Sequence, residues 1–255
     1  MSRQPDGPPP PPTVQKLRIR YAKRGRLRFT SHRDFARAFE RAINRARVPI
    51  AFSAGFSPHP KVSYAGATPT GVASEAEYLE IGLAAARDPA QVRAALDAAL
   101  PPGIDILDVV DAATSQTKTL AERIEASQWR FWLPEVSVTQ AQTAVDALLA
   151  LDAAPVERPT KDGTRTVDVR AAIVATAVVD GASGATPGEM NGRCATLEVV
   201  VQHSSPAVRP DDILTALRTI SALSTPVTPV VTRLAQGLVD NTSPEDAKRL
   251  IDPLS

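Results

Sequence analysis

The stretch Lys16–Pro49, KLRIRYAKRGRLRFTSHRDFARAFERAINRARVP, changes its hydrophobic period in the middle, and that change sets the expected fold. In the first part Leu17, Ile19 and Tyr21 alternate with Arg18 and Arg20, the two-residue period of a half-buried strand. After a turn at Gly25, Phe35, Ala38, Phe39, Ala42, Ile43 and Ala46 recur at three- and four-residue spacing, the stripe of an amphipathic helix. Ser31 and Asp34 stand three apart ahead of that stripe and predict a capping box, while Pro49 predicts a helix end near Arg47.

Downstream, the punctuated run Phe52–Pro60 reads as a loop leading to a strand over Lys61–Ala67, and a second strand follows over Glu77–Ala84. Asp88 as N-cap with Pro89 at the first helical position opens a helix that ends near Leu100, and Ile104–Val110 reads as a strand. The order strand, helix, strand, strand, helix, strand is that of a ferredoxin-like unit, helices on one face of an antiparallel sheet. A second pass follows: a polar, helical connector over Ser115–Ala126, a strand Trp129–Leu133 and a helix capped by Thr139 and Gln142. A turn at Asp162-Gly163 precedes one long strand, Thr166–Val179; a flexible run Gly181–Gly192 separates it from a strand Ala195–His203, a helix Asp211–Leu223 and a strand Val230–Ala235.

The expectation is therefore an α+β protein of two tandem ferredoxin-like (βαββαβ) units. Its parts are a disordered Pro-rich tail over 1–14, a basic domain over 15–112, a connector over 113–127, a second domain over 128–237 and a C-terminal tail with a short helix over 238–255. No run reaches the 18 or more apolar residues of a membrane span, and a proline tract stands where a signal peptide needs an apolar core, so a cytoplasmic protein is expected. With one cysteine, Cys194, and three scattered histidines (His32, His59, His203), a disulfide scaffold and a Cys-rich zinc or iron-sulfur module are excluded.

Charge is unevenly placed. Residues 1–61 hold 14 Lys and Arg against 3 acids, and the remainder holds 15 against 25, so a net +1 conceals a basic N-terminal part and an acidic remainder. A polyanion is the natural partner of such a segment; mutual neutralisation within the fold is the alternative. Arg33, Arg37, Arg41 and Arg45 share one helix face at four-residue spacing, with Lys23, Arg24, Arg26 and Arg28 at the helix entrance, a pattern suited to the phosphates of a nucleic acid. Phe56, His59 and Lys61 in the loop extend the candidate surface, while Phe29, Phe35 and Phe39 are expected in the core. The spaced aromatics of an RNA-recognition motif are absent. His32 and His59 form an alternative catalytic pair for metal-independent RNA cleavage, and a protein-docking basic face is a further alternative. Glu75, Glu77 and Glu80 either hold a magnesium ion or pair with the basic helix. No Walker lysine loop, dinucleotide glycine fingerprint or hydrolase elbow occurs.

The segments Leu27-Arg28-Phe29, Ser31-His32-Arg33-Asp34, Gly55–Lys61, Pro69-Thr70-Gly71-Val72 and Glu75-Ala76-Glu77-Tyr78 resemble the radical-SAM-linked protein family, a bacterial domain of unknown function. Val167–Arg170 and Thr232-Arg233 extend the resemblance more weakly. Members are freestanding or fused behind a cobalamin-binding radical-SAM domain. The resemblance implies an accessory role in RNA modification or metabolism, with RNA (transfer or ribosomal) and a radical-SAM protein as partners. It supplies no known activity, and no cofactor is expected on this chain: lacking a three-cysteine motif, it leaves iron-sulfur chemistry to another protein.

Overall fold

A computed structural model describes residues 10–112, 118–161, 163–181, 194–240, 242 and 250–255. The chain divides into two compact units, Met1–Ile124 with Pro253–Ser255, and Glu125–Asp252. The architecture is mixed α+β, its sheets mostly antiparallel. Among the described residues no helix is long and apolar enough to cross a membrane.

In the first unit β1 (Gln15–Lys23), β3 (Ala73–Leu83) and β4 (Ile104–Asp111) pair antiparallel with β1 central, and β2 (Val62–Ala65) pairs with β3, giving the order β4-β1-β3-β2. The alternation of Leu17, Ile19 and Tyr21 places all three on the face covered by α1 (His32–Arg45) and α2 (Pro89–Ala99), where they meet Leu79, Ile81, Leu96 and Ile106. From α1, Phe35, Phe39, Ala42 and Ile43 enter this core, as the predicted stripe requires; burying each of the two phenylalanines and Ile43 stabilises by roughly 1.5–3 kcal/mol. The opposite sheet face is closed over Tyr78, Ala76 and Ala65 by Leu120, Ile124 and Leu254.

Local details depart from the sequence reading. The turn after β1 is a 3-10 helix, Gly25–Phe29, and α1 stops at Arg45. Only half of the expected capping box forms. The Ser31 hydroxyl oxygen accepts from the Asp34 amide at 3.1 Å, but the Asp34 carboxylate takes the Ser31 hydroxyl proton instead of reaching the backbone. The expected disordered tail falls largely on residues outside the described ones; at its end the Val14 amide donates to Leu83 and the Thr13 hydroxyl accepts from Lys61, so these residues are docked. β3 begins four residues earlier than expected, at Ala73.

In the second unit β5 (Ala126–Pro134), β8 (Ile173–Asp180), β9 (Cys194–Gln202) and β10 (Val230–Val239) pair antiparallel in the order β10-β5-β9-β8. Helices α3 (Val138–Leu149) and α5 (Pro210–Ser221) pack together. The cap of α3 is Ser137 with Gln140, not Thr139 with Gln142: both pairs have the S/T-x-x-Q spacing, and buried Val136 and Ala141 at the staple positions select the earlier one. The expected single strand over Thr166–Val179 is broken, because Asp168 accepts the amides of Ala154 and Ala171 and starts a short helix, α4 (Val169–Ala172). Its first part is β7 (Gly163–Asp168), paired with an unforeseen strand β6 (Pro155–Thr160), whose two prolines are tolerated in a two-stranded ribbon with an open edge. An ion pair of 2.9 Å between Arg158 of β6 and Asp212 of α5 anchors this ribbon. The expected helical connector is a single 3-10 turn, Ala121–Arg123, leading into β5; its residues 115–117 lie outside the described residues. So do nearly all of the expected flexible run and residues 241 and 243–249 of the expected C-terminal tail, although Leu250–Ile251 forms a strand, β11, against β10.

Candidate nucleic-acid interface

The predicted basic surface divides into two sets. On α1, Arg33, Arg37, Arg41 and Arg45 are all exposed, since the buried stripe occupies the other side of the helix. Arg33, Arg37 and Arg41 form no ion pair or hydrogen bond with any described residue. Arg45 has a structural use: its Nη1 donates to the Ala99 carbonyl at 2.9 Å, satisfying an orphan acceptor in the last turn of α2. The spacing of four residues sets successive guanidinium-bearing Cα atoms about 6 Å apart along the helix.

The cations of β1 and its exit are neutralised within the fold. Lys23, expected on the surface, is buried, which removes it from the interface. Arg24 is held by Glu75 on one side and by Asp105 at 2.7 Å on the other, and these carboxylates raise its pKa further above the ordinary guanidinium value. Arg18 is buried against Glu80 at 3.2 Å and donates to the Lys118 carbonyl, Lys16 shares Glu80 at 3.1 Å, and Arg20 meets Asp108 and the Glu75 carbonyl. The acidic cluster thus pairs with β1 and Arg24, where pairing with the basic helix or a magnesium site was expected. Glu77 is buried and accepts the Thr68 amide. Among the described residues no group of three or more His, Cys, Asp or Glu side chains is placed to hold a metal ion.

The loop after α1 is closed at its neck. Phe52 and Pro60 form an isolated bridge, the Ser53 amide donates to the His59 carbonyl at 2.9 Å, and the His59 amide donates to the Ser53 hydroxyl at 3.0 Å. Phe56 stands at the tip with 68% of its surface exposed. Lys61 is exposed and donates to Thr13.

The two candidate catalytic histidines are not joined. His32 lies edge-on to Tyr64 at 4.7 Å between ring centres, and no described side chain hydrogen-bonds to the ring of either His32 or His59. Tyr64 is half-buried, and desolvation raises its pKa. Tyr21 is buried against Phe35 with ring centres 4.4 Å apart. Cys194 is half-buried, and desolvation raises the pKa of its thiol, away from nucleophilic use.

One surface residue was misread. Phe29, expected in the core, is 59% exposed at the end of the 3-10 helix, with the Arg28 guanidinium 4.8 Å from its ring centre. Its place outside both the strand alternation and the helical stripe was the available signal. Arg26 is exposed beside it and Arg28 is half-buried.

No curated protein matches the chain. A chain in a solved structure titled "Crystal Structure of a Cbf5-Nop10-Gar1 Complex" is similar over 92% of this chain, with a TM-score of 0.42 and 11% identity; this chain spans 55% of that one. A family model described as an uncharacterized protein conserved in bacteria matches residues 16–210, which takes in β1, the arginine helix, the clamped loop and most of the second unit. The chain belongs to this bacterial family, DUF2344.

Proposed function

We propose that this protein is a non-catalytic, cytoplasmic RNA-binding accessory factor, built from two ferredoxin-like units and working beside a radical-SAM enzyme that carries the redox cofactors. The strand orders β4-β1-β3-β2 and β10-β5-β9-β8 support the reading of the two units. The observation that carries the functional reading is the unpaired, exposed row Arg33, Arg37 and Arg41 on a helix whose neighbouring strand has its own cations matched by carboxylates. A cation left unmatched next to a fully matched set is available to an external polyanion, and phosphates at regular spacing suit a regular row. Arg26, Arg28 and Lys61 extend the surface, and the resemblance to radical-SAM-linked proteins supports RNA and the enzyme partner.

The test is fluorescence anisotropy of labelled transfer RNA and a ribosomal RNA fragment, with DNA of equal length as control, at two salt concentrations. The wild type is expected to bind RNA with an affinity that falls with salt, and Arg33→Glu/Arg37→Glu/Arg41→Glu, still folded, is expected to lose that binding. Absence of RNA binding by the wild type at low salt would defeat the proposal.

A further inference from the structure

Two exposed aromatics flank the arginine helix along the chain, Phe29 before it and Phe56 in the loop that follows it. The 3-10 helix bearing Phe29 joins the sheet at the end where Lys23 pairs with Ser74 and the Arg24 amide donates to Gly103. The clamped loop bearing Phe56 is anchored at the other end, where the Ala51 amide donates to Gly82 and the Gly82 amide donates to Lys61. Ser74 and Gly82 are eight residues apart on β3, about 26 Å of extended strand. Helix α1, 14 residues and so about 21 Å long, starts three residues after Phe29, and its last arginine, Arg45, bonds the Ala99 carbonyl.

Each aromatic is held for presentation. Phe29 carries Arg28 beside its ring and is backed by Gly71, where an added Cβ would lie 3.7 Å from the ring edge; the Gly71 amide fixes that approach by donating to the Arg28 carbonyl at 2.8 Å. Gly71 has φ +93, a conformation that favours glycine. Phe56 sits on a loop whose neck is closed by the Ser53–His59 hydrogen bonds, and the space beside Gly55 is open. Exposure of 59% and 68% gives neither ring a core function. An exposed aromatic beside cations is what a sequence-tolerant stacking platform requires, and paired bases have no free face to offer it.

We propose that the RNA is bound as an unpaired strand, its phosphates along Arg33, Arg37 and Arg41, one base stacked on Phe29 and another on Phe56. This rests on the RNA-binding reading above and adds the strand state and Phe29.

The probe is a fluorescein-labelled 12-nucleotide RNA without self-complementarity, alone and annealed to its complement, titrated with the full chain. The single strand is expected to bind more tightly than the duplex. Phe29→Ala and Phe56→Ala are each expected to weaken single-strand binding about 5- to 100-fold and to leave duplex binding unchanged. Phe29→Leu and Phe56→Leu, which keep apolar bulk should an alanine variant fail to fold, are expected to lose as much. If the phenylalanine variants bind like the wild type while the arginine triple variant does not bind, the RNA reading stands and the stacking proposal is overturned. If the leucine variants alone keep full affinity, the rings serve as apolar contacts, as for a protein partner, and stacking is again overturned. If the wild type binds neither RNA, both readings fall together.

Discussion

Strand β1 and helix α1 are adjacent, similarly rich in basic residues, and opposite in what happens to that charge. On β1 and its exit, Arg18 and Lys16 share Glu80, Arg20 meets Asp108, and Arg24 sits between Glu75 and Asp105. On α1, Arg33, Arg37 and Arg41 face solvent without such partners. The cause is topological. A central strand has neighbours on both sides, here β3 and β4, and register brings Glu80 opposite Arg18 and Asp108 opposite Arg20. The exposed face of a helix has no such neighbour, so its charges stay open to a ligand. A count of arginines therefore overstates the binding surface; the unmatched ones define it.

The comparison predicts separable effects on binding and stability. Converting Arg33, Arg37 and Arg41 to Glu should reduce RNA affinity by about 100-fold or more and flatten the slope of log affinity against log salt by roughly 2–3 units, without lowering the melting temperature. Removing the carboxylate from the matched set does the reverse. Glu80→Ala removes a carboxylate from the buried Arg18 and should cost about 3 kcal/mol in urea unfolding, while RNA affinity stays within twofold of wild type. If Glu80→Ala instead strengthens RNA binding markedly, β1 belongs to the interface and the division drawn here is wrong.

Smaller effects sharpen the boundary. Arg45 lies in the row but bonds the Ala99 carbonyl, so Arg45→Ala should lower stability by about 1 kcal/mol and weaken RNA binding less than Arg37→Ala does. Ser31→Ala removes the cap of α1 and should lose about 1 kcal/mol, measured by denaturant titration. The weakest effect is in the second unit. Amide donors from Ala154 and Ala171 hold the Asp168 carboxyl below its ordinary pKa. A lowered folded-state pKa means that its contribution is present above about pH 4 and is lost as pH falls through the folded value. Thermal melts from neutral to acid pH should show this loss in the wild type, and Asp168→Asn should flatten that part of the acid limb.

Much of the first unit was legible because its signals are local. The alternation of Leu17, Ile19 and Tyr21, the stripe from Phe35 to Ile43, and Asp88 before Pro89 each depend on residues within a few positions of one another. The second unit was read less well for the same reason. Between Thr166 and Val179 the sequence is apolar and β-branched apart from Asp168 and Arg170, and the Asp168 side chain reaching back to Ala154 breaks the strand. The partner strand β6 was hidden by Pro155 and Pro159, which local propensity counts against any strand.

The candidate site shows the same split. The four-residue spacing of Arg33, Arg37, Arg41 and Arg45 is a property of the chain itself, since any helix there places them on one face, and so is the excess of positive charge before residue 62. Which cations remain available was decided by tertiary structure: Lys23 became buried, Arg24 met Glu75 from 51 positions away, and Arg45 was drawn to α2. The exposure of Phe29 was decided there too. Composition and period specify a side chain's chemistry and the face it takes on its own element; burial and ion pairing depend on partners distant in sequence, which only the folded chain brings near.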